Sequence, residues 1–365
     1  MAAEVAFIVH LPGQRVPGSA HRHEVVHREG GMPMAIMLAD HRWCGPHGIG
    51  RFAGEVLRRL PELCPVPAPW PLLHPLEPAR LAWVLRRLRP QVYFSPGFNP
   101  PLWSPVPCVF TLHDLIHLQC PAESSLTKQA YYRLVVRPAM RWASRVLTVS
   151  RYVKQALLAW AGVPEERIVV VGNGVGPPFG PVGPRHAPGY PYLFYAGNRK
   201  PHKNLPRLLQ GYARSGRPED VRLILTGSPD AETQQQIAAL GVADCVNYAG
   251  QLTDTELAAY YRGAVALVCP SLYEGFGLSP LEAMACGTPV LTSHVTALPE
   301  VVGDAALLVD PYDVEAIAQG IQRLVEDSAL RRALVHQGLA RARLFTWEQT
   351  AMRVWQVVQE AAEHG

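Results

Sequence analysis

Two carboxylates and a lysine-rich loop are the residues of this chain whose types and spacing could do chemistry. Glu274 and Glu282 are separated by seven residues within SLYEGFGLSPLEAMACGTPV (271–290). Gly275 and Gly277, between them, permit backbone turns that other residues resist and leave room for a ligand against bare peptide N–H groups. Ser279 reads as the N-cap of a helix, Pro280 as its first residue, and Gly287 with Pro289 as its end. A glycine loop feeding a helix N-terminus makes an anion site, since the first N–H groups lack intrahelical partners and the helix dipole favours negative charge. Acidic side chains in such a place call for a ligand that brings hydroxyl groups with its phosphates, and a nucleotide sugar brings both. The structural alternative is a capping box, Ser279-x-x-Glu282, in which Glu282 only returns to the N-cap amide. Glu274 precedes the glycines and has no such use.

Basic and imidazole groups stand at the ends of other expected strands. NRKPHKN (198–204) joins the strand YLFYAG to the helix LPRLLQGYA, which puts Arg199, Lys200 and Lys203 where a diphosphate could be neutralised. Ordinary surface charge is the alternative for all three. In PCVFTLHDLIHLQCP (107–121) a strand runs straight into His113-Asp114, and the carboxyl end of a buried strand is where open α/β sheets bind ligands. A buried structural histidine is the other reading; Asp114 either orients the ring or caps the next segment, and His117 reads as loop. GPHGIG (45–50) places Gly48 and Gly50 in a loop before the helix RFAGEVLRRL. A tight turn would also need them, and their spacing is not the G-x-G-x-x-G of dinucleotide binders, so no nicotinamide cofactor is expected.

EGFGLSPLEAMACGTPV, with the two Glu at that spacing, resembles the signature of glycosyltransferase family 4, retaining enzymes of the GT-B architecture, and the resemblance runs from about residue 34 to the end. It implies that Glu274 and the loop Gly275, Phe276, Gly277 and Leu278 contact the donor sugar and phosphates, and that Glu282 holds the ribose hydroxyls. Lys203 matches a family lysine that neutralises the donor diphosphate. Arg199 takes the role of the family arginine only by a one-place shift, because Asn198 follows Gly197. His113 matches a strand-end histidine beside the donor sugar, and Gly48 and Gly50 a loop where phosphate and acceptor approach the backbone. Asn173-Gly174-Val175 resembles the family's N-G-V turn, although Gly176 stands where Asp is usual.

The implied reaction moves a hexose from a nucleoside diphosphate sugar to a hydroxyl of a glycan or polyprenyl-diphosphate-linked acceptor, with retention. TLHDLIH, PHKNL and LPEVVGDAALLVDP look most like mannosyltransferases of surface polysaccharide assembly, which makes GDP-mannose the expected donor. No metal and no cofactor besides the donor substrate is implied, because basic side chains and helix dipoles meet the diphosphate charge. The alternatives are a UDP-linked glucose or amino sugar, a phosphorylase or epimerase of the same fold, and a non-catalytic subunit that binds a nucleotide sugar without turnover.

These groups need elements to hold them, and the chain supplies strand, loop and helix in alternation. The expected class is α/β, two Rossmann-like domains facing a cleft. Residues 34–176 would form the N-terminal acceptor domain and 192–344 the nucleotide-sugar domain. The Pro/Gly-rich GPPFGPVGPRHAPGYP supplies a linker over 177–191, and 345–365 a final helix crossing back. Residues 1–33 read as an extension outside the fold; their HRHEVVH lacks the punctuation of a metal site.

Composition sets the remaining bounds. Apolar residues make up 48% and charged residues 18% of 365, with no run long enough for a membrane span. Seven cysteines without paired spacing fit a reducing compartment, so a cytoplasmic location is expected. Net charge is +4, but residues 1–189 hold 20 Lys and Arg against 11 Asp and Glu, and the rest 14 against 19. From Ser124 to Pro164 there is no acid at all, while Lys128, Arg133, Arg137, Arg141, Arg145, Arg151 and Lys154 are present. With Tyr131, Tyr132 and Trp142 interleaved, this segment suits peripheral contact at the inner face of a membrane, or else a solvated helix face. Nucleic acid is the less fitting anion, since no recognition module is visible.

Overall fold

The computed structural model describes residues 36–67, 70–216 and 221–364. The extension expected over 1–33, with its histidine cluster, lies outside the described residues. Short apolar runs form the strands. In the first half these are β1 (Met37–Ala39), β2 (Leu63–Pro65), β3 (Val92–Ser95), β4 (Cys108–Thr111), β5 (Arg145–Thr148) and β6 (Ile168–Val170). In the second half they are β7 (Tyr192–Tyr195), β8 (Arg222–Leu225), β9 (Val246–Tyr248), β10 (Ala266–Cys269), β11 (Val290–Ser293) and β12 (Leu307–Val309). Every residue of β3, β4, β7, β10 and β11 is buried, as strands covered by helices on both faces must be.

All the pairings are parallel, in the order β2-β1-β3-β4-β5-β6 in one sheet and β12-β11-β10-β7-β8-β9 in the other. Winding reverses between β1 and β3 and between β7 and β10. In open parallel sheets, ligands bind in the crevice outside the carboxyl ends of the strands at such reversals. The two halves are therefore Rossmann-like, and the loops after β1, β3, β4, β7, β8 and β10 all reach one cleft.

Between Val170 and Tyr192 the chain forms no helix or strand. It lies along the second half, where Arg262 Nε donates to Pro184 O at 2.7 Å and the His186 ring stacks on Tyr260 at 3.9 Å. The final helix, Trp347–Glu363, returns to the first half. Its Trp347, Val354, Val357 and Val358 share a core with Phe52, Val56, Phe94 and Leu147. Polar contacts join the halves beside the cleft: Ser150 Oγ donates to Gly275 O at 2.8 Å, and the Leu115 amide to Tyr273 Oη at 3.2 Å. Glu300 accepts from the amides of Arg151 and Tyr152, so an acid of the second half caps the helix Arg151–Ala161 of the first.

Candidate functional site

The cleft holds a cavity of about 800 Å³, a size suited to a nucleotide-sized ligand. Two helix N-termini converge on it from opposite halves. One helix, Gly48–Arg59, starts at Gly48, with His47 as N-cap accepting from the Gly50 amide at 2.9 Å. The other, Leu278–Ala285, starts after Gly277, whose φ of 113° is open to glycine and strained for other residues. A methyl group placed on Gly48 would sit 3.8 Å from Leu278 Cδ1, so the two positive helix ends are neighbours. The cavity lining includes Gly48, Gly275, Phe276, Gly277 and Leu278. Phe276 also packs edge-on against Phe345 at 5.8 Å. Gly275 has a tighter constraint, since a Cβ there would lie 2.2 Å from His113 O. The glycine lets the loop after β10 touch the loop after β4.

Glu274 and Lys203 form one unit. Lys203 Nζ and Ser271 Oγ both donate to Glu274 Oε1 at 2.7 Å, and the Glu274 amide donates to Thr296 Oγ1. Burial works against both charges, yet each is the other's partner. Glu274 stays below the usual carboxylate range and Lys203 above the usual lysine value. Both are ionised at neutral pH.

Glu282 is placed differently. The Ser279 cap expected from the sequence does not form: the helix begins one residue earlier than Ser279, and the Ser279 hydroxyl donates to Ala196 O at 3.2 Å. Glu282 is thereby free of the capping box. It is 4% exposed, accepts from Tyr261 Oη at 3.1 Å, and pairs with Arg51, which reaches across from the helix Gly48–Arg59. Arg51 also holds Asp254 at 2.5 Å and lies over the Phe179 ring. Burial outweighs these partners and pushes the Glu282 carboxyl up to about 7.

His113 follows β4 by two residues, buried, with Nε2 2.8 Å from Pro96 O and its ring edge-on to Phe52. A carbonyl only accepts, so Nε2 carries the proton and Nδ1 is left as an acceptor. Burial lowers its pKa to about 4 and keeps it neutral. Asp114 caps the Ile116 amide at 3.0 Å rather than orienting the ring, lines the cavity, and is pushed upward by burial. Asn173 lines the cavity with a buried Oδ1 that has no protein partner, an atom open to a ligand donor.

Several expected residues stand elsewhere. Arg199 does not line the cavity; its guanidinium turns to Asp230 (3.2 Å) and Thr226 O (2.8 Å) because Asn198 displaces it by one position along the loop. Gly50 sits in the first turn of a helix instead of a loop, and a Cβ there would meet Gly45 O at 2.3 Å, so its role is backbone packing. His117 belongs to a helical turn, Ile116–Gln119, and lines the cavity. Tyr132 is core and Tyr131 donates to Phe98 O, so the aromatics of the acid-free segment face inward.

Lys200, expected beside the diphosphate, lines the cavity, whereas Arg51 and His202 line it without having been singled out from the sequence. His202 Nδ1 lies 2.9 Å from Glu123 Oε1, again across the halves. Among the described residues, no three His, Cys, Asp or Glu side chains are grouped to hold a metal ion.

Comparison with known proteins places the chain. Residues 21–177 match the model described as Glycosyltransferase Family 4, and residues 183–341 that described as Glycosyl transferases group 1. The chain is 34% identical over 287 residues to O-antigen chain mannosyltransferase B of Escherichia coli, covering 75% of each protein. It is 40% identical over 167 residues to the MMP alpha-(1->4)-mannosyltransferase of Mycolicibacterium hassiacum, covering 44% of this chain and 41% of that protein. Solved structures share the fold at low identity. Sucrose-phosphate synthase from Thermosynechococcus elongatus superposes with a TM-score of 0.72 at 21% identity over 90% of this chain and 99% of that one. The glycosyltransferase WaaG gives 0.70 at 17% identity over 88% and 99%.

Proposed function

The chain belongs to glycosyltransferase family 4 and is a glycosyltransferase of GT-B fold, and on that premise we propose that it transfers mannose from GDP-mannose to a hydroxyl of a glycan or polyprenyl-diphosphate-linked glycan, with retention, in the assembly of a surface polysaccharide such as an O-antigen. The relatives' names support the sugar and the setting. The observation that carries the reading is the pairing of Lys203 with Glu274 beside two converging helix N-termini, in one cavity with Glu282.

In this reading the diphosphate lies against the 275–278 amides and the start of the helix at Gly48, with Lys203 meeting the charge that develops on the leaving phosphate. Ser271 and Lys203 both hold Oε1 of Glu274, which leaves Oε2 for the sugar hydroxyls. Glu282 accepts from the ribose, and Asn173 Oδ1 takes a further donor hydrogen. Neutral His113 accepts a sugar hydroxyl at Nδ1. Asp114 is the cavity's carboxylate on the acceptor side and orients the attacking hydroxyl. The acceptor attacks the anomeric carbon from the face the diphosphate leaves; the C–O bond to phosphate breaks as the new glycosidic bond forms, and the hydroxyl proton passes to the departing phosphate. Arg199 has no part in this arrangement.

The domain division expected from sequence (34–176, linker 177–191, 192–344, final helix 345–365) belongs to the same proposal, with the acceptor in the first half and the donor in the second. So does a cytoplasmic place at the membrane face, supported by the acid-free segment 124–164; no helix among the described residues is long and apolar enough to cross a membrane.

A panel of labelled nucleotide sugars tests the reading by binding and by slow hydrolysis without acceptor. GDP-mannose is expected to lead. Preferred consumption of a UDP-sugar would move the donor assignment, binding without any turnover would indicate a non-catalytic subunit, and no binding to any donor would end the transferase reading.

A further inference from the structure

We propose that the first half meets an anionic lipid bilayer with a face built from the helix Glu77–Leu88 and the loop after β3, a placement that rests on the membrane-associated acceptor in the reading above. Leu76, Ala79 and Trp83 are exposed at the spacing of one helix face, with Leu76 59% and Trp83 53% accessible. The Leu102 amide donates to Pro78 O at 2.8 Å, which sets Leu102 (50%) and Trp103 (44%) beside the first turn of that helix. Scattered exposed leucines need no explanation, but two tryptophans and their apolar neighbours gathered on adjoining elements do.

The charge around them has one sign. Arg86, Arg87 and Arg89 are exposed, and the Arg87 guanidinium lies 5.7 Å from the Trp83 ring centre. Between Leu63 and His113 the one acid is Glu77, which is 2% exposed and paired with Arg42 at 2.6 Å. The acid-free segment packs against the same loop, where Tyr131 Oη donates to Phe98 O. Along that segment Leu126, Arg133, Leu134 and Arg141 are exposed. Tryptophan rings settle at the depth of lipid headgroups, and clustered arginines are drawn to an anionic leaflet. A one-signed charge spread over two segments fits a lipid surface better than the mixed rim of a protein partner.

The face is also close to the chemistry. Phe98 lines the cavity, and Trp103 follows it by five residues, a span of at most about 17 Å of chain. An acceptor anchored in lipid at Trp103 can present its head group to the cavity without leaving the bilayer.

The test is vesicle flotation of the full chain on phosphatidylcholine with and without phosphatidylglycerol, at low and high salt. The wild type is expected to float with the anionic vesicles, less at high salt. Trp83→Ser with Trp103→Ser should lower the partition coefficient about tenfold or more, and Arg86→Glu with Arg87→Glu should remove its salt-sensitive part. Leu126→Ser with Leu134→Ser should change it by less than about threefold. Donor hydrolysis at the wild-type rate shows that each variant is folded. Undiminished flotation of the tryptophan variant would overturn this placement while leaving the membrane reading intact. No flotation of the wild type would overturn both. A concentration-dependent dimer that the tryptophan variant loses, with no vesicle binding, would assign the face to a second copy and overturn the lipid proposal.

Discussion

Glu274 and Glu282 belong to one motif and one strand-loop-helix unit, yet their surroundings are opposites. Glu274 draws its cation from its own half, Lys203 on the loop after β7, and the pair holds both charges at neutral pH. Glu282 draws its cation from the other half, Arg51, and burial prevails so that its carboxyl lies near neutrality. The first carboxylate is set by the second half alone. The second is complete only when the halves are together. A carboxylate whose partner comes from its own half is set within that half, whereas one whose partner crosses the cleft depends on how the two halves meet.

The largest effect expected from breaking this contrast is at Lys203. Lys203→Ala leaves Glu274 as an uncompensated buried charge, which costs about 3–5 kcal/mol and should lower donor turnover by about a thousandfold or more. Adding Glu274→Ala should restore much of the thermal stability and none of the turnover. Recovery of turnover in the double variant would mean that the pair is a structural strut.

Glu282→Gln should weaken donor binding by about 10- to 100-fold, the cost of losing a hydrogen bond to a charged group. Because the wild-type carboxyl is raised to about 7, donor affinity should climb as pH rises from 6 to 8 and Glu282 ionises. Glu282→Gln should flatten that profile, and Arg51→Gln should move its midpoint to higher pH by removing the cation that favours the ionised form. Titration by calorimetry reads all three. A midpoint unmoved by Arg51→Gln would show that the cross-cleft pair does not set the ionisation of Glu282.

A smaller effect separates His113 from both acids. Its folded pKa of about 4 lies below the ordinary 6.5, so its neutral form contributes stability above pH 6.5 that is lost as pH falls toward 4. The full contribution is at most about 3 kcal/mol. His113→Asn should show a shallower loss of stability over that range in denaturant titrations; an unchanged slope would place the acid lability elsewhere.

Arg199→Gln is expected to do least, with donor affinity altered by less than about threefold, since the side chain serves Asp230 and the Thr226 carbonyl. A hundredfold loss would show that Arg199 turns into the cleft when donor binds, and would give the diphosphate a second cation from the same half as Lys203.

Much of the fold was legible because the signals are local. β3, β4, β7, β10 and β11 are short apolar runs that end at Pro, Gly or a polar residue, and the caps at Ser150 and Thr253 form as their residue types require. The exception at Ser279 is instructive. The glycine before the helix takes the left-handed backbone itself, the helix starts at Leu278, and the serine that matched the capping pattern is carried past the cap position. A similar shift moved Gly48 and Gly50 from loop into helix. For Arg199, one extra residue after Gly197 turned a side chain of the expected type to the outer side of the loop.

By itself, then, the sequence determined the alternation of strand and helix, the glycine turns, the final amphipathic helix and the chemical inventory of the cleft, because each depends on residues within a few positions of one another. The tertiary structure decided which charges meet. Lys203 and Glu274 are 71 positions apart, His202 and Glu123 79, and Arg51 and Glu282 231. No local rule relates such partners. Their distances follow from how two sheets wind and face each other, and those distances, with burial, determine that one glutamate of the motif is held below the usual carboxylate range and the other is raised to near neutrality.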